Sequence, residues 1–308
     1  MSAYEKPILE IAEVEKILRK HLKEDVVSIE PIEGGNLSSV FAFNYGGKGY
    51  IIKFSDMQGA YETEGFVLGL LTSQGVPFPR YLGRGKVGTL TYSILERITG
   101  GILNDCSEME KHRMLPELMQ ILAQMNQINL GETSGLGWIG PTGNGSFGTW
   151  KEYITSFFAE DQTGAFWEGW YDLFHTTCLE KDIFDECYNR LMMFSSFNEP
   201  HRYFIHGDFQ PWNILSDGQR ITGIIDGNFA YGDFMMDIAT LVGTMGELDV
   251  VQAYKEQYKK MGIVIPNFKE RLIGAQYFKG LDGLRFYAKM GWNDAYNQLR
   301  NFLINLTN

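Results

Sequence analysis

The first 95 residues alternate between apolar and polar positions mainly with the period of β-strands. An opening stretch instead has apolar residues three and four apart, which predicts an amphipathic helix. Short apolar runs that end at glycine turns then predict strands, with one further helix among them. The predicted segments are a helix over 11–22, strands at 26–30, 39–43 and 50–54, a helix at 61–71, and strands at 81–82 and 89–96.

After residue 100 the apolar positions change to helical spacing. Leu115, Leu118, Leu122 and Met125 lie three, four and three residues apart, as on the buried face of a helix. A glycine-rich loop separates this helix from a second helical tract that begins near Trp150. Short strands are predicted at 203–205, 213–215 and 221–225.

Together these regions predict an α+β fold with two lobes. The N-terminal lobe, at 1–95, is expected to be small and β-rich, and the C-terminal lobe, at 96–308, larger and mainly helical. A length of 308 residues and an apolar share of 44% are sufficient for a bilobal unit with a substantial core. A nucleotide is expected to bind between the lobes.

The net charge of −11 bears on the partners of the protein. A nucleic-acid-binding surface needs a basic face, so no nucleic-acid partner is predicted. The charge is compatible with a small cationic ligand, although solubility alone is the favoured explanation. No apolar run approaches the roughly 20 residues of a membrane span, so no membrane association is predicted.

Two further features predict a cytoplasmic protein. The N-terminus lacks the basic start and apolar stretch of a secretion signal. Cys106, Cys178 and Cys187 are odd in number and have no metal-binding spacing, which is typical of a reduced protein. We expect a monomer or a weak dimer.

The candidate chemistry centres on the segment 206–213, His-Gly-Asp-Phe-Gln-Pro-Trp-Asn, and on the Ile-Ile-Asp-Gly that follows at 224–227. Asp208 is predicted to orient an acceptor hydroxyl and to accept its proton. Asn213 and Asp226 offer oxygen ligands of the kind that Mg²⁺ prefers. An acid and an amide on one loop and a second acid on the next match the order used by kinases.

Three residues around this motif are predicted to support it. His206 has the residue type of a general base or a metal ligand, but a ring hydrogen-bonded to backbone is the favoured interpretation. Asp233 and Asp237 follow a glycine at what should be a helix N-terminus. Carboxylates there cap free N–H groups, and a contact with the loop that holds Asp208 is an equal alternative. We interpret all three as structural supports.

The triphosphate of a nucleotide is predicted to meet residues of the N-terminal lobe. Lys53 ends an apolar strand, and Glu64 on the next helix is its predicted ion-pair partner, with Glu62 as the alternative. The loop 34–40 lies between two strands, where Gly35, Ser38 and Ser39 offer N–H and hydroxyl groups to phosphate. The backbone of the linker that includes Glu96 and Ile98 is expected to bind the base.

The acceptor pocket has two candidate walls. The tract 150–174 mixes aromatic residues with Asp161, Glu168 and Asp172, and the tract 277–294 does the same with Asp282. Either mixture suits a polyamine sugar. A helix that buries an aromatic stripe and exposes its acids has the same composition, so a purely structural role remains an alternative for both tracts.

With these residues in view, the chain resembles the aminoglycoside phosphotransferase family, a branch of the protein-kinase-like fold. The segment 206–213 looks like the family motif His-Gly-Asp-x-x-x-x-Asn, 225–237 looks like its second motif, and 75–80 resembles its turn after the first-lobe helix. The stretch 218–226 is similar to hygromycin-type phosphotransferases. Gly227 departs from the pattern, because an aromatic residue often stands there.

The resemblance implies a nucleoside-triphosphate-dependent enzyme with ATP or GTP as donor and Mg²⁺ as cofactor. Asp208 would be the base, Asn213 and Asp226 the magnesium ligands, and Lys53 the phosphate contact. The implied acceptor is a hydroxyl of a small cationic molecule, above all an aminoglycoside-type antibiotic. The alternatives are a kinase of choline, a sugar or an amino alcohol, and a non-catalytic pseudokinase-like module, which the retention of Lys53 disfavours.

Overall fold

The computed structural model describes residues 6–23, 25–33, 37–57 and 59–307. Its N-terminal elements occur in the predicted order. Strands β1 to β5 form one antiparallel sheet in the spatial order β1-β2-β3-β5-β4. The elements are α1 (Ile11–Leu22), β1 (Val27–Ile32), β2 (Ser39–Tyr45), β3 (Lys48–Ser55), α2 (Glu64–Thr72), β4 (Tyr81–Val87) and β5 (Leu90–Glu96).

Two of these elements differ in extent from the prediction. Helix α2 begins at Glu64 rather than at residue 61, because Tyr61 has a φ of 62°, which a right-handed helix excludes. Strand β4 runs on to Val87, and glycines hide its apolar alternation. A Cβ at Gly85 would lie 2.3 Å from the Tyr92 hydroxyl, so the close packing against β5 requires glycine there.

Helix α1 covers one face of the N-terminal sheet. Val14 and Leu18 are fully buried on its inner side. They pack in one apolar cluster with Phe41 of β2 and Ile52 and Phe54 of β3. This cluster fixes which strand residues face α1 and which face the opposite side, where α2 and the second lobe lie.

Helix α2 belongs to the core of the larger lobe. Its buried residues Val67, Leu68 and Leu71 lie in the same apolar cluster as Leu118 and Leu122. The larger core therefore extends across the boundary predicted after residue 95. Through α2, the two lobes share apolar packing beside the expected nucleotide cleft.

The C-terminal lobe is mainly helical, as predicted. Helix α9 packs against α6, α7 and α10, and α3 packs against α8. The elements are β6 (Gly101–Ile102), α3 (Glu108–Asn126), β7 (Leu136–Ile139), β8 (Gly145–Phe147), α4 (Trp150–Phe157), α5 (Leu173–Thr176), α6 (Lys181–Asn198), β9 (Tyr203–Ile205), β10 (Ile214–Ser216), β11 (Ile221–Ile224), β12 (Ala230–Gly232), α7 (Met235–Thr244), α8 (Val250–Lys260), α9 (Phe268–Met290) and α10 (Asn293–Asn305).

Two small sheets place the motif loops side by side. One sheet has the order β11-β10-β6 and the other the order β8-β7-β12-β9. The loop 206–213 connects β9 to β10, and the loop 225–229 connects β11 to β12. Because β10 pairs with β11 and β9 pairs with β12, both loops leave neighbouring strands. None of the helices that the structure describes is both long and apolar enough to cross a membrane.

Candidate active site

The two motif loops are in direct backbone contact. Gly207 has a φ of 80°, and a Cβ there would lie 2.1 Å from the Asn228 carbonyl oxygen. The left-handed conformation and the close approach both require glycine. The N–H groups of His206 and Gly207 donate to the two carboxylate oxygens of Asp237, each at 2.9 Å. The loop that carries Asp208 is thereby anchored to the first turn of α7.

Asp208 and Asn213 form a hydrogen-bonded pair. The Asn213 Nδ2 donates to the Asp208 Oδ2 at 2.7 Å and to the Asp208 carbonyl at 2.9 Å. Gln210 Nε2 donates to the other carboxylate oxygen of Asp208 at 2.9 Å. Burial raises the pKa of Asp208, and the charge of Lys279 together with these hydrogen bonds opposes the increase. Since Asn213 uses its amide nitrogen for Asp208, its amide oxygen is left for another partner.

Lys53 joins the lobes through an ion-pair triad. Its Nζ lies 2.7 Å from Glu64 Oε1 and 2.8 Å from Asp226 Oδ1, although Asp226 is 173 residues away in the chain. Burial alone would lower the pKa of Lys53, but the two carboxylates outweigh it and raise the pKa. Glu62 instead lies 3.7 Å from Arg84. Of the two predicted partners, Glu64 is therefore the one that pairs with Lys53.

Asp226 is deep in the cleft but open to solvent. Its side chain is 54% exposed, and its Oδ1 lies 2.8 Å from Lys53 Nζ. The nearby Lys53 lowers the pKa of Asp226, which keeps the group ionised. Its φ of 48° is a left-handed backbone conformation that non-glycine residues rarely adopt. This conformation occurs two residues after the end of β11, where the Asp226 carboxylate meets Lys53.

The donor set of the cleft fits magnesium. An ionised carboxylate at Asp226 and the amide oxygen of Asn213 are hard oxygen ligands, and Mg²⁺ usually takes one or two of these with waters and phosphates. The described part of the chain has no cluster of three or more His, Cys, Asp and Glu side chains that could hold a metal. An Asn–Asp pair would not form such a cluster.

His206 is placed as a structural residue. It is fully buried, its Nε2 lies 3.2 Å from the Ile225 carbonyl, and its Nδ1 accepts from the Asp208 N–H at 3.3 Å. Burial lowers the pKa of His206 to about 4, so the ring is neutral near pH 7. Both ring nitrogens are engaged with backbone, which leaves no lone pair for a metal or a substrate proton.

The departure at Gly227 has a packing explanation. A Cβ at Gly227 would lie 2.1 Å from the Phe229 ring and 2.9 Å from the His206 carbonyl. Phe229 packs against Phe78 and His206 with ring centroids 6.2 and 5.7 Å apart. The aromatic ring that packs beside the loop 225–229 thus comes from Phe229, two residues farther along the chain.

Asp233 and Asp237 are both fully buried, and each holds a different part of the lobe. Asp233 forms a two-point ion pair with buried Arg271, with distances of 2.7 and 2.8 Å, and accepts from Asn198 at 2.8 Å. Burial raises the pKa of Asp237 to about 7, although its two backbone donors and Lys279 favour the carboxylate. These contacts join α6, α7 and α9 below the motif loops.

The predicted phosphate loop is only partly described, and Gly35 lies outside the described residues. The Ser38 hydroxyl is 2.7 Å from the Tyr61 hydroxyl, and the Tyr61 ring lies 5.2 Å from Lys53 Nζ. Ser38 therefore lies on the Lys53 side of the sheet. Ser39 pairs with Phe54 across β2 and β3, so its side chain points to the α1 face, where its hydroxyl donates to the Pro7 carbonyl. The structure does not bring the Ser39 hydroxyl to the cleft.

The linker between the lobes is held at both ends. The N–H of Glu96 donates to the Arg80 carbonyl and that of Arg97 to the Gly49 carbonyl, each at 2.9 Å. The Ile98 side chain packs on β11, where a Cβ at Gly223 would lie 2.4 Å from it. Two linker donors are thus engaged within the protein.

A small pocket opens beside Gly207 on the side of α4 and α9. Asp282 and Lys279 line it together with aromatic side chains. The Arg285 Nη2 donates to Asp282 Oδ1 at 2.9 Å, and the buried guanidinium of Arg285 lies 4.3–5.1 Å from four aromatic ring centroids. Of the four predicted substrate acids, Asp282 is the one that lines this pocket.

The other three predicted substrate acids are exposed on the segment after α4. Asp161 accepts from the backbone and hydroxyl of Thr163 at 3.1 and 2.7 Å, and Glu168 accepts from the Gly164 N–H at 2.8 Å. Asp172 is exposed near the start of α5. Five aromatic residues of this tract are buried in the core, namely Trp150, Tyr153, Phe157, Phe158 and Trp170. Three of them, Trp150, Tyr153 and Phe157, also line the pocket beside Gly207.

Sequence reasoning missed four residues that shape the site, namely Tyr61, Arg271, Lys279 and Arg285. Three of them are cations on α9, spaced eight and six residues apart among apolar positions. Charged residues on the buried face of a helix usually need a partner, and that signal was present in the sequence. Their partners, at Asp233, Gly207 and Asp282, are visible only in the folded chain.

Comparisons with known proteins relate the chain to a family. A family model described as "Phosphotransferase enzyme family" matches residues 28–269. Hygromycin-B 4-O-kinase from Escherichia coli is 28% identical over 238 residues, which cover 77% of this chain and 67% of that protein.

Solved structures show the same fold. Aminoglycoside phosphotransferase APH(4)-Ia, as a thermostable mutant in ternary complex with AMP-PNP and hygromycin B, is 24% identical with a TM-score of 0.77, over 96% of this chain and 97% of that chain. Spectinomycin phosphotransferase APH(9)-Ia, in complex with ADP and spectinomycin, is 12% identical with a TM-score of 0.64, over 97% and 98%. The predicted α+β fold class is confirmed.

Proposed function

This chain belongs to the phosphotransferase enzyme family, and we propose that it transfers the γ-phosphate of ATP to a hydroxyl of an aminoglycoside-type antibiotic such as hygromycin B. The observation that carries the proposal is the convergence of two sets of residues in one cleft. The triad of Lys53, Glu64 and Asp226 stands beside the pair of Asp208 and Asn213. This arrangement suits a phosphate chain on one side and a hydroxyl on the other.

The transfer step assigns one role to Asp208. The acceptor oxygen forms a bond to the γ-phosphorus while the bond from that phosphorus to the β–γ bridging oxygen breaks, and ADP leaves. The proton of the acceptor hydroxyl passes to the Asp208 carboxylate. Asn213 and Gln210 hold this carboxylate by hydrogen bonds at 2.7 and 2.9 Å, so its orientation is fixed before the acceptor arrives.

Asn213 and Asp226 would hold Mg²⁺. When bound, the ion neutralises charge that develops on the β- and γ-phosphate oxygens. Lys53 would then contact phosphate, and Glu64 would keep the ammonium in place from the other side. The ionised state of Asp226, maintained by Lys53, suits this role.

The remaining nucleotide contacts are assigned to the linker and to β2. An adenine needs one hydrogen-bond donor and one acceptor. Because the Glu96 N–H is already engaged with Arg80, we assign the acceptor to the Glu96 carbonyl and the donor to the Ile98 N–H. Ser38 lies on the phosphate side of the sheet, whereas the Ser39 hydroxyl points away from it and is assigned no contact.

The acceptor side rests on the likeness to hygromycin-B 4-O-kinase and on Asp282. A carboxylate in the pocket beside the catalytic loop can bind an acceptor ammonium. One observation favours a second candidate, a kinase of a less charged metabolite such as choline, a sugar or an amino alcohol. Asp282 is already paired with Arg285, and Lys279 adds a second cation to the pocket.

A coupled assay of ADP release, with Mg²⁺ and each of ATP and GTP, tests the proposal. The acceptors are hygromycin B, spectinomycin, a fructosamine, choline and simple amino alcohols. We expect turnover on hygromycin B above the rate of hydrolysis without acceptor, and a kcat lowered by about 100- to 10,000-fold in Asp208→Asn. Turnover on a metabolite but on no aminoglycoside would replace the first candidate by the second. Nucleotide binding without turnover on any acceptor would point to a non-catalytic module.

A further inference from the structure

Lys279 connects helix α9 to the backbone of the catalytic loop. Its Nζ donates to the Gly207 carbonyl at 2.6 Å, across 72 residues of sequence. The side chain is half-buried and lines the pocket that also holds Asp282. A half-buried lysine loses solvation, and its charge here also acts on the nearby carboxylates of Asp208 and Asp237. The ammonium therefore lies within the group of residues that holds the loop 206–213.

The carbonyl that Lys279 holds belongs to the peptide unit directly before Asp208. The N–H of the same unit, on Asp208, donates to His206 Nδ1 at 3.3 Å. The N–H of Gly207 is held by Asp237. The peptide plane before Asp208 is thus held on both edges, by the imidazole on one side and by the ammonium on the other.

Glycine makes this restraint necessary. Gly207 has a φ of 80° and no side chain, so its peptide plane rotates more freely than that of any other residue type. A rotation there would swing the Asp208 carboxylate relative to an acceptor hydroxyl. Lys279 and Asp282 lie three residues apart on α9, hence on one face of the helix, and both reach the pocket.

We propose that Lys279 is a positioning residue, which fixes the Gly207–Asp208 peptide so that Asp208 meets the hydroxyl of an acceptor bound in the pocket beside Asp282. The proposal rests on the proposed function. The opposing view is that Lys279 only anchors α9. Lys289 offers the matched control, because it lies on the same helix and also donates to a backbone carbonyl, that of Phe166.

The test compares the variants Lys279→Met, Lys279→Gln, Lys279→Arg and Lys289→Met. We measure kcat on the acceptor turned over by the wild type, the Kd of ATP and the thermal midpoint. Displacement of a reacting group by about 1 Å costs about 100-fold in rate, so we expect Lys279→Met to lower kcat by about 10- to 100-fold. The Kd of ATP should stay within about twofold of the wild-type value, since Lys279 lies on the acceptor side of the loop.

The conservative variant separates positioning from stability. Arginine can reach the Gly207 carbonyl, whereas the shorter glutamine cannot, so Lys279→Arg should recover most of kcat and Lys279→Gln should not. Lys289→Met should lower the thermal midpoint with kcat unchanged. The proposal is overturned if Lys279→Met and Lys289→Met change kcat equally, or if Lys279→Arg is as slow as Lys279→Met.

Hydrolysis of ATP by water, without acceptor, separates this proposal from the proposed function. If the wild type turns over no aminoglycoside, the acceptor assignment fails, and the same variants are then compared by their hydrolysis rates. A slower hydrolysis by Lys279→Met than by Lys289→Met still supports the positioning role, because water then takes the place of the hydroxyl. Equal hydrolysis rates overturn that role.

Discussion

The two sides of the loop 206–213 hold their charged groups in different ways. On the side that we propose binds the nucleotide, Lys53 is paired directly with Glu64 and Asp226, and all three converge from separate elements of both lobes. On the side that we propose binds the acceptor, Asp282 and Arg285 are three residues apart on one helix, among aromatic rings that belong to the core. The first side is thus a network of ion pairs that spans the cleft. The second is a surface of the C-terminal lobe's core, formed mainly by aromatic side chains.

This difference explains why the two sides are unequally visible in a sequence. A phosphate and a metal ion restrict the residue types at each position to a cation, an amide or an acid. The acceptor wall is restricted mainly by packing, as the buried Tyr153 and Phe157 show. Many apolar combinations fill the same volume, so the wall leaves no short motif.

The largest effect is expected from replacing Asp208, the proposed general base. Asp208→Asn keeps the shape and the hydrogen bonds to Asn213 but removes the proton acceptor. General base catalysis contributes about 100- to 10,000-fold, so kcat should fall by that factor. The Kd of ATP, measured by calorimetry with Mg²⁺, should change little, because Asp208 is not assigned to the nucleotide.

Asp217→Asn is the control for this substitution. Asp217 lies in the turn after β10 and accepts from the backbone of Gln219 and Arg220, each at 2.8 Å. Asp217 is also an aspartate near the motif loops, but it lies outside the cleft. The kcat of Asp217→Asn should therefore equal the wild-type value. Activity of Asp208→Asn near that of the control would remove Asp208 from the role of base.

The elements could be predicted largely from apolar spacing and turns. The strand at Tyr203–Ile205 and the fold class were confirmed, because alternation and helical period are local properties. Tyr61 was placed inside a helix by the same pattern, and its positive φ was not visible. That conformation is stabilised by distant contacts with Ser38 and Lys53.

The site was predictable where residue type alone restricts the choice. Glu64 could be favoured over Glu62 in sequence, but only the fold shows that Glu62 lies near Arg84. The Ser39 hydroxyl was misplaced because its direction depends on the register of β2 with β3. The glycine at 227 is explained by the ring of Phe229, which leaves no room for a side chain there. The position of that ring in space cannot be obtained from residue spacing.

An intermediate effect is expected at His206, whose protonation should make the free energy of unfolding depend on pH. His206 is buried and neutral, with its pKa lowered by burial from 6.5 to about 4. As the pH falls below 6.5, the unfolded chain binds a proton that the folded chain refuses, so stability is lost between pH 6.5 and 4. The loss should approach about 3 kcal/mol in the free energy of unfolding, measured by urea denaturation.

His206→Asn isolates this contribution. The raised pKa of Asp237 acts in the opposite direction, since it removes stability as the pH rises towards 7, but it acts in both proteins. The free energy of unfolding of the wild type minus that of the variant should therefore decrease as the pH falls to 4. A difference that stays constant over this range would show that the ring titrates normally.

The smallest expected effect is on the KM for the acceptor, when Asp282 is replaced. Asp282→Asn keeps an oxygen for Arg285 but removes the charge that faces the pocket. A charge-assisted hydrogen bond to an acceptor ammonium contributes about 1.5 kcal/mol more than a neutral one, so the KM for a cationic acceptor should rise by about tenfold. The KM for ATP should not change, because Asp282 lies on the other side of Asp208.

Asp172→Asn decides between the two predicted walls. Asp172 is exposed on the segment after α4 and is not one of the residues that line the pocket, so its loss should leave the KM of every acceptor unchanged. A neutral sugar should bind Asp282→Asn and the wild type equally, because it presents no ammonium. If instead Asp172→Asn raises the KM and Asp282→Asn does not, the acceptor binds along the exposed segment 161–172 rather than in the pocket that Asp282 lines.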